Sequence, residues 1–119
     1  MKILSLGAGV QSSALALMIE KGELPMVDAA IFADTKAEPQ EVYEWFEWLQ
    51  TQVSYPIHIV SYGDLRQDTI DSAHGRGRWN FLTIPVFTVS GTTGKKGLLK
   101  RQCTSNYKIQ PVHQQIRKM

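Results

Sequence analysis

A short run of small residues lies between two apolar segments near the start of the chain. Residues 3–6 are apolar apart from one serine, Gly7-Ala8-Gly9 follows, and residues 14–19 are apolar without a break. This order predicts a buried strand, a tight loop and a buried helix. Because small side chains leave the backbone N–H groups accessible, such a loop binds an anion at the positive end of the helix dipole. The chemistry that it favours is phosphate binding.

The spacing of this loop differs from that of the two commonest phosphate loops. It lacks the lysine followed by serine or threonine of a Walker A loop, and Ser12 stands in place of the third glycine of a dinucleotide fingerprint. The alternative is that the glycines only form a tight strand-to-helix turn. The residues that we assign to the phosphate are Ser5, Gly7, Ala8, Gly9, Gln11, Ser12 and Ser13.

Two further motifs lie downstream. Residues 29–33 are typical of a second buried strand, which ends in Asp34-Thr35 and is followed by Glu38-Pro39 and an amphipathic segment. Near the end of the chain, residues 101–104 are Arg-Gln-Cys-Thr, and a Tyr-Lys-Ile triplet and a proline follow. Asp34 suits the N-cap position of a helix as well as a ligand contact, so both interpretations stand.

The three motifs, taken in order, resemble those of the phosphoadenosine phosphosulfate (PAPS) reductase and N-type ATP pyrophosphatase superfamily. That superfamily has a pyrophosphate loop of serines and two glycines, a strand ending in Asp-Thr, and a late motif of Arg, Cys and a basic pair. The resemblance implies an α/β fold of three α/β/α layers around a mostly parallel, doubly wound, Rossmann-like sheet of the adenine nucleotide alpha hydrolase type. It implies an enzyme that acts on PAPS or, with Mg²⁺, on the α-phosphate of ATP.

The resemblance also implies roles for residues outside the loop. Phe32 and Ala33 would contact adenine through main-chain atoms. Asp34 and Thr35 would contact the ribose or the metal. The residues that it implies for catalysis are Cys103, Arg101 and Lys108.

A glycine-rich basic loop lies between the second and third motifs. Arg76 and Arg78 alternate with glycines there. Because guanidinium groups pair bidentately with phosphate and sulfate oxygens, these arginines would fold over the anionic part of the nucleotide. A solvated basic loop is the alternative interpretation.

Cys103 is the only cysteine of the chain. Positive charge from Arg101 and Lys108 would favour its thiolate and make it reactive, whereas lone cysteines are commonly small buried side chains. A single cysteine does not support an iron–sulfur cluster. Cluster-free relatives carry their catalytic cysteine in a C-terminal tail that this chain lacks. The resemblance implies reduction of PAPS with a thioredoxin-like reductant or a partner protein, but the residues of this chain do not include the cysteine that those relatives use.

One departure from the family pattern concerns catalysis. The loop positions that are often Lys-Asp are Val10-Gln11 here, so the side-chain charge that would hold pyrophosphate is absent. Amide donors bind phosphate without that charge, whereas cleavage of ATP needs additional stabilisation of the leaving group. The alternative function is therefore a non-catalytic nucleotide-binding, sequestering or accessory protein, and the third is thiolation or modification of nucleic acid.

Length and composition agree with one domain over residues 1–119. We divide it into a core over residues 1–74, basic active-site loops over residues 75–100, and a late basic motif with a terminal helix over residues 101–119. Later elements of the superfamily are missing, so we expect a C-terminally shortened form that pairs as a homodimer. The net charge of +2 does not argue for nucleic acid, and no apolar run approaches the ~20 residues that span a membrane, so a cytoplasmic protein is expected.

The apolar pattern predicts the order of secondary structure. Strands are predicted at residues 2–6, 28–33 and 56–61, and helices at residues 12–21, between Pro39 and Val53, at residues 64–72 and from near Pro111. Gly22 and Asp64 are predicted to cap the first and third helices. The β-α-β-α-β-α order favours a parallel sheet whose ligands bind beyond the carboxyl ends of the strands. The three histidines lack the spacing of zinc ligands, and no metal ligand is assigned.

Overall fold

The computed structural model describes residues 1–76, 84, 86–98 and 102–119. Strands and helices alternate through the first part of the chain, as predicted. These elements are β1 (Ile3–Leu6), α1 (Val10–Glu20), β2 (Ala29–Ala33), α2 (Gln40–Gln52), β3 (Ile57–Val60) and α3 (Leu65–Ala73). The later elements are β4 (Phe87–Val89), β5 (Lys96–Leu98), a π-helical segment (Ser105–Ile109) and α4 (Gln110–Lys118).

The first three strands form a parallel sheet with β2 in the centre. Leu6 of β1 lies opposite Phe32 of β2, and Ala33 of β2 lies opposite Val60 of β3. Because the strands are parallel and in this register, their carboxyl ends meet at one edge of the sheet. The fold is therefore mixed α/β, and the predicted site residues at positions 7–9, 34 and 35 follow the strand ends at that edge.

The central strand is buried on both faces, which requires helices on both sides of the sheet. Phe32 faces a core that it shares with Ile19 of α1 and Leu49 of α2. Ile31 is fully buried on the opposite face, where the π-helical segment and α4 contact β2. Right-handed crossovers account for α1 and α2 lying on the same face, because each connects one strand to its next neighbour in the same direction.

Local signals account for the ends of the helices. α1 begins at Val10, two residues before the predicted start, with Gly9 at the N-cap. It ends before Gly22, whose φ of 77° is the left-handed conformation that closes a helix. Asp64 caps α3 as predicted, because its carboxylate accepts a hydrogen bond of 2.9 Å from the Gln67 amide.

The structure contains two elements that the sequence patterns do not predict. β4 and β5 form an antiparallel hairpin within the segment predicted as loops, with Phe87 opposite Leu98. Helical structure also begins before Pro111, since the π-helical segment leads directly into α4. A proline lacks the N–H that continues an α-helix, and a widened turn before it is one way in which a helix accommodates that loss.

Candidate functional site

Hydrogen bonds join the carboxyl ends of β2 and β3. The Asp34 amide donates to the Val60 carbonyl oxygen at 2.8 Å, and the Ser61 hydroxyl donates to the Asp34 carbonyl oxygen at 2.9 Å. The Leu65 amide donates to the Thr35 carbonyl oxygen at 3.0 Å, which ties the start of α3 to the same edge. The residues that follow these two strands therefore have fixed relative positions.

The loop between β1 and α1 is closed by its own serine. The Ser12 hydroxyl accepts a hydrogen bond from the Gly7 amide and donates one to the Gly9 carbonyl oxygen, both at 3.2 Å. Ala8 has a φ of 53°, a left-handed conformation that costs an alanine about 1 kcal/mol. Its side chain is buried in the core, which holds the backbone in this conformation. Backbone strain of this kind clusters at binding loops.

Gly9 leaves the space beside the loop open. A Cβ added at Gly9 would meet no atom within 4 Å, and its backbone angles, φ −83° and ψ 175°, suit any residue. The Ser13 amide makes the first helical bond of α1, to the Gly9 carbonyl oxygen at 3.0 Å. The amides of residues 10–12 precede that bond and have no acceptor within the helix. These amides are the donors that an anion would use.

An apolar groove lies next to this loop, between α1 and α2. The groove has a volume of about 560 Å³ and is lined by Ala8, Gly9, Val10, Ser13, Ala14, Leu17, Glu41, Val42 and Trp45. We call it the α1–α2 groove. Its charged lining residue is Glu41, and none of the basic side chains that the structure describes lines it. An anion bound at the loop therefore gains no cationic side chain from this groove.

Ser13 and Gln11 lie in different surroundings. Ser13 is buried, and its hydroxyl oxygen accepts a hydrogen bond of 2.9 Å from the Trp45 indole. Gln11 is exposed in the first turn of α1. Because the Trp45 bond fastens α1 to α2, Ser13 has a structural role, and its contact with phosphate stays a prediction.

The Asp34 carboxylate is held by two donors. Its Oδ1 accepts hydrogen bonds of 2.8 Å from the Lys36 amide and from the Tyr43 hydroxyl. Burial and the hydrogen bond to Asp34 raise the pKa of Tyr43 to about 12. Asp34 and Tyr43 line a cavity of about 180 Å³ with Phe32 and Ile59. The carboxylate thus lies in a different hollow from the α1–α2 groove.

Phe32 and Ala33 are the last two residues of β2, and the ring of Phe32 is not exposed to a ligand. Phe32 is buried, and its ring stacks on that of Phe46 with 4.1 Å between the ring centroids. Ala33 is half-buried and lies opposite Val60. A contact between these residues and adenine would therefore be a main-chain contact, which is the form that the resemblance implies.

Thr35 and Lys108 meet at Glu38. The buried Thr35 hydroxyl donates to Glu38 Oε1 at 3.3 Å, and Lys108 Nζ lies 3.5 Å from the same oxygen. The late motif is thereby brought to the end of β2. Both partners of the ion pair are partly exposed, so the pair stabilises the fold by only ~0.5 kcal/mol. Lys108 could exchange Glu38 for another anion at little cost.

Ser5 is exposed and lies on the same face of the sheet as Ile31, its partner in β2, where α4 contacts the sheet. It lines a hollow of about 430 Å³ with Thr104, Lys108 and His113. Cys103, which is partly exposed, directly precedes Thr104. Lys108 lines this hollow and also pairs with Glu38, which follows β2. The predicted site residues consequently form two groups, one on each side of the sheet.

Three residues with a part in the site were not predicted for it. Tyr107 is fully buried, its hydroxyl donates a hydrogen bond to the Asp68 carboxylate of α3, and its ring packs edge-on against Tyr62 with 5.3 Å between the centroids. Glu38, which pairs with Lys108, and Tyr43, which donates to Asp34, are the other two. The tyrosines could have been found from their chemistry, because the hydroxyl of a buried tyrosine needs a polar partner.

Other predicted residues lie elsewhere. Arg78 and Arg101 fall outside the described residues. Arg76 is exposed after α3, and about 12 Å of helix separates it from Leu65 at the strand ends. Within the described ranges, no three His, Cys, Asp or Glu side chains form a group that could hold a metal. Across the same ranges, no helix is both long enough and apolar enough to cross a membrane.

Comparison with protein families, curated proteins and solved structures gives no match for this chain. Its function therefore has to be inferred from its own residues and their geometry. These define a mixed α/β protein with an open glycine loop and a set of polar residues at the carboxyl edge of three parallel strands.

Proposed function

We propose that this chain binds an adenine nucleotide at the carboxyl edge of its sheet and acts on PAPS or on the α-phosphate of ATP. The main support is the open space at Gly9, next to amides of residues 10–12 that have no acceptor within α1. The nucleotide phosphate occupies that space and accepts hydrogen bonds from these amides. The fold that we propose is the doubly wound α/β/α type, in which ligands bind at this edge.

The nucleoside part of the ligand lies at the end of β2. Adenine contacts the main chain of Phe32 and Ala33, and the ribose contacts Asp34. Tyr43 and the Lys36 amide both bind Oδ1 of Asp34, which fixes the carboxylate and leaves Oδ2 for a ribose hydroxyl. The arrangement supports recognition of a nucleoside by shape and hydrogen bonds.

The groups that would act in catalysis come from the late motif. Lys108 exchanges Glu38 for the anionic end of the nucleotide, since its ion pair is weak. In a reaction with ATP, a nucleophile attacks the α-phosphorus and pyrophosphate leaves, so positive charge near the leaving oxygens lowers the barrier. Arg101 would add to that charge. Cys103 is the thiol that a reaction with PAPS would use.

A second candidate function is nucleotide binding without turnover. It is favoured by the α1–α2 groove, since no basic side chain in the described part of the chain lines the groove beside the loop. Product analysis separates the two candidates. Release of pyrophosphate from ATP, or of sulfite from PAPS with a dithiol present, supports the enzyme, whereas tight binding without either product supports the binding protein.

Isothermal titration tests the proposal. The ligands are PAPS, ATP and adenosine 3′,5′-bisphosphate, each with and without Mg²⁺. Selective binding of the 3′-phosphorylated nucleotides indicates sulfonucleotide chemistry, and Mg²⁺-dependent binding of ATP indicates attack at the α-phosphate. Absence of binding by every ligand would contradict the proposal.

The variant Gly9→Val gives the sharpest test of the loop. The space at Gly9 is open and its backbone angles suit valine, so we expect the melting temperature to stay within about 2 °C of the wild-type value. The branched side chain occupies the phosphate position, so nucleotide affinity should fall at least about a hundredfold. Ala73→Val, at an exposed position on α3, is the matched control. Unchanged affinity in Gly9→Val would remove the loop from the site.

A further inference from the structure

Two apolar surfaces of the described chain are uncovered. The first is the α1–α2 groove, beside which Val10 is 86% exposed. The second is the hairpin of β4 and β5, in which Phe87 is 81% exposed. A two-stranded hairpin without a packing partner is marginally stable in water. The hairpin therefore needs a surface to pack against.

The apolar residues of the hairpin lie on one face. Phe87 and Val89 are two residues apart and so share a face, and Leu98 lies opposite Phe87. Lys96 lies opposite Val89 and borders the same face, and Lys95 precedes it in the turn. The hairpin consequently presents an apolar patch with a basic border.

The groove and the hairpin carry opposite charge. Glu41 lines the groove, and Glu44 is exposed nearby on the same helix. The asymmetry extends along the chain, because residues 1–60 contain eight acidic and three basic side chains, whereas residues 61–119 contain three acidic and ten basic ones. A basic apolar hairpin and an acidic apolar groove are complementary surfaces.

The groove also begins at the proposed phosphate loop. Ala8, Gly9 and Val10 belong to both. Positions 10 and 11 carry no charge, so the loop lacks a cationic side chain of its own. A partner that fills the groove with a basic border would place that charge beside the phosphate.

We propose that the hairpin of one copy docks in the α1–α2 groove of a second copy and brings Lys95 and Lys96 to the phosphate loop there. Phe87 and Leu98 fill the apolar groove, and Lys96 pairs with Glu41 on the way to the loop. A reciprocal contact closes the pair, since each copy has one hairpin and one groove. The role of the lysines rests on the proposed function, whereas the docking itself does not.

Charge reversal tests the docking without any nucleotide. The double variant Lys95→Glu/Lys96→Glu and the double variant Glu41→Lys/Glu44→Lys should each weaken self-association in sedimentation equilibrium about a hundredfold. An equal mixture of the two variants should associate again, because opposite charges then face each other. Arg117→Glu/Lys118→Glu, at the exposed end of α4, is the matched control and should associate like the wild type. A wild-type chain that stays monomeric, or a hairpin that binds an oligonucleotide instead, overturns the proposal.

Complementation tests the supply of lysines to the partner. Gly9→Val blocks the loop but keeps the hairpin, and Lys95→Glu/Lys96→Glu keeps the loop but reverses the hairpin charge. Gly9→Val alone should bind the titrated nucleotide at least about a hundredfold more weakly than the wild type, and Lys95→Glu/Lys96→Glu alone at least about tenfold more weakly. Their mixture should recover wild-type affinity at one loop of each mixed pair. If the two variants form mixed pairs but nucleotide affinity is not recovered, Lys95 and Lys96 do not act at the phosphate loop of the partner copy. A wild type that pairs but binds no nucleotide refutes the proposed function and leaves the docking intact.

Discussion

The hydroxyl group of Tyr43 fixes the orientation of the Asp34 carboxylate. The Tyr43 hydroxyl donates to Asp34 Oδ1 at 2.8 Å from the first turns of α2. Without the phenol hydroxyl, the carboxylate keeps the Lys36 amide as its partner but has more freedom to turn. The precision of the proposed ribose contact therefore depends on a residue that makes no contact with the ribose itself.

Tyr43→Phe should change how stability depends on pH. The pKa of Tyr43 is about 12 in the folded chain and about 10 in an unfolded one, so its protonated form stabilises the fold fully below about pH 10, and this contribution is lost as the pH rises towards 12. Urea unfolding should therefore show a smaller loss of unfolding free energy above about pH 10 in Tyr43→Phe than in the wild type. At about pH 7 the variant should be about 1 kcal/mol less stable, from the lost hydrogen bond.

Asp34→Asn provides the comparison for this experiment. It keeps an oxygen acceptor for Tyr43 but removes the negative charge that disfavours the phenolate. Its stability should therefore decline with pH less steeply than that of the wild type. Equal pH profiles for the wild type and Tyr43→Phe would show that Tyr43 is not coupled to the fold in this way.

Residue types at the site were predictable where neighbours in sequence define them. The glycines at positions 7 and 9 and the Asp34-Thr35 pair follow apolar runs, and that order alone indicates strand ends. Glu38 could not be assigned in this way, because its partner Lys108 is distant in sequence. The division of Ser5 and Gly9 between the two sides of the sheet depends on the pleat and on where α4 packs, which no local pattern specifies.

Among the elements, α3 and the π-helical segment are joined through one buried phenol. Tyr107 is fully buried, and its hydroxyl donates to the Asp68 carboxylate of α3. The same π-helical segment holds Lys108, which pairs with Glu38 after β2. The bond between Tyr107 and Asp68 therefore helps to set the position of the basic motif relative to the strand ends.

A double-mutant cycle measures this connection. Tyr107→Phe leaves the partly buried Asp68 carboxylate with one donor fewer, so it should lower the unfolding free energy by about 1 kcal/mol. Asp68→Asn should cost a similar amount, and the double variant should cost clearly less than the two together, with a coupling of about 1 kcal/mol in urea unfolding. Simple additivity of the two changes would mean that the hydroxyl and the carboxylate do not act as a pair.

The elements themselves were predictable to different degrees. The three parallel strands are short apolar runs between turn residues, and α3 has an N-cap aspartate, so their order is clear from the sequence. The hairpin of β4 and β5 lies among glycines and threonines, and its strands have three residues each, so the alternation of Phe87, Thr88 and Val89 is too short to predict a strand. Helical structure begins before Pro111 because a π-helical segment precedes α4, and no residue pattern in the sequence predicts a π-helical turn.

At the scale of the whole molecule, stability should be distributed unevenly between the sheet and the hairpin. β2 pairs on both sides and is buried on both faces, so its amides open only when the fold as a whole unfolds. The hairpin pairs only with itself in the described structure, and every residue of β4 and β5 is exposed. Its amides should therefore open locally, at a small fraction of the cost.

Hydrogen exchange at two protein concentrations tests both parts of this picture. Amides of Ala29–Ala33 should exchange slowest in the chain at either concentration. Amides of Phe87–Val89 should exchange at least about a hundredfold faster in dilute protein and slow markedly in concentrated protein, because docking into a second copy covers them. Phe87→Ser removes the main apolar group of the hairpin and should abolish that concentration dependence while β2 keeps its protection. If the hairpin amides of the wild type exchange at the same rate at both concentrations, the hairpin does not dock into a second copy. If they exchange slowly in dilute protein, the hairpin packs within its own chain.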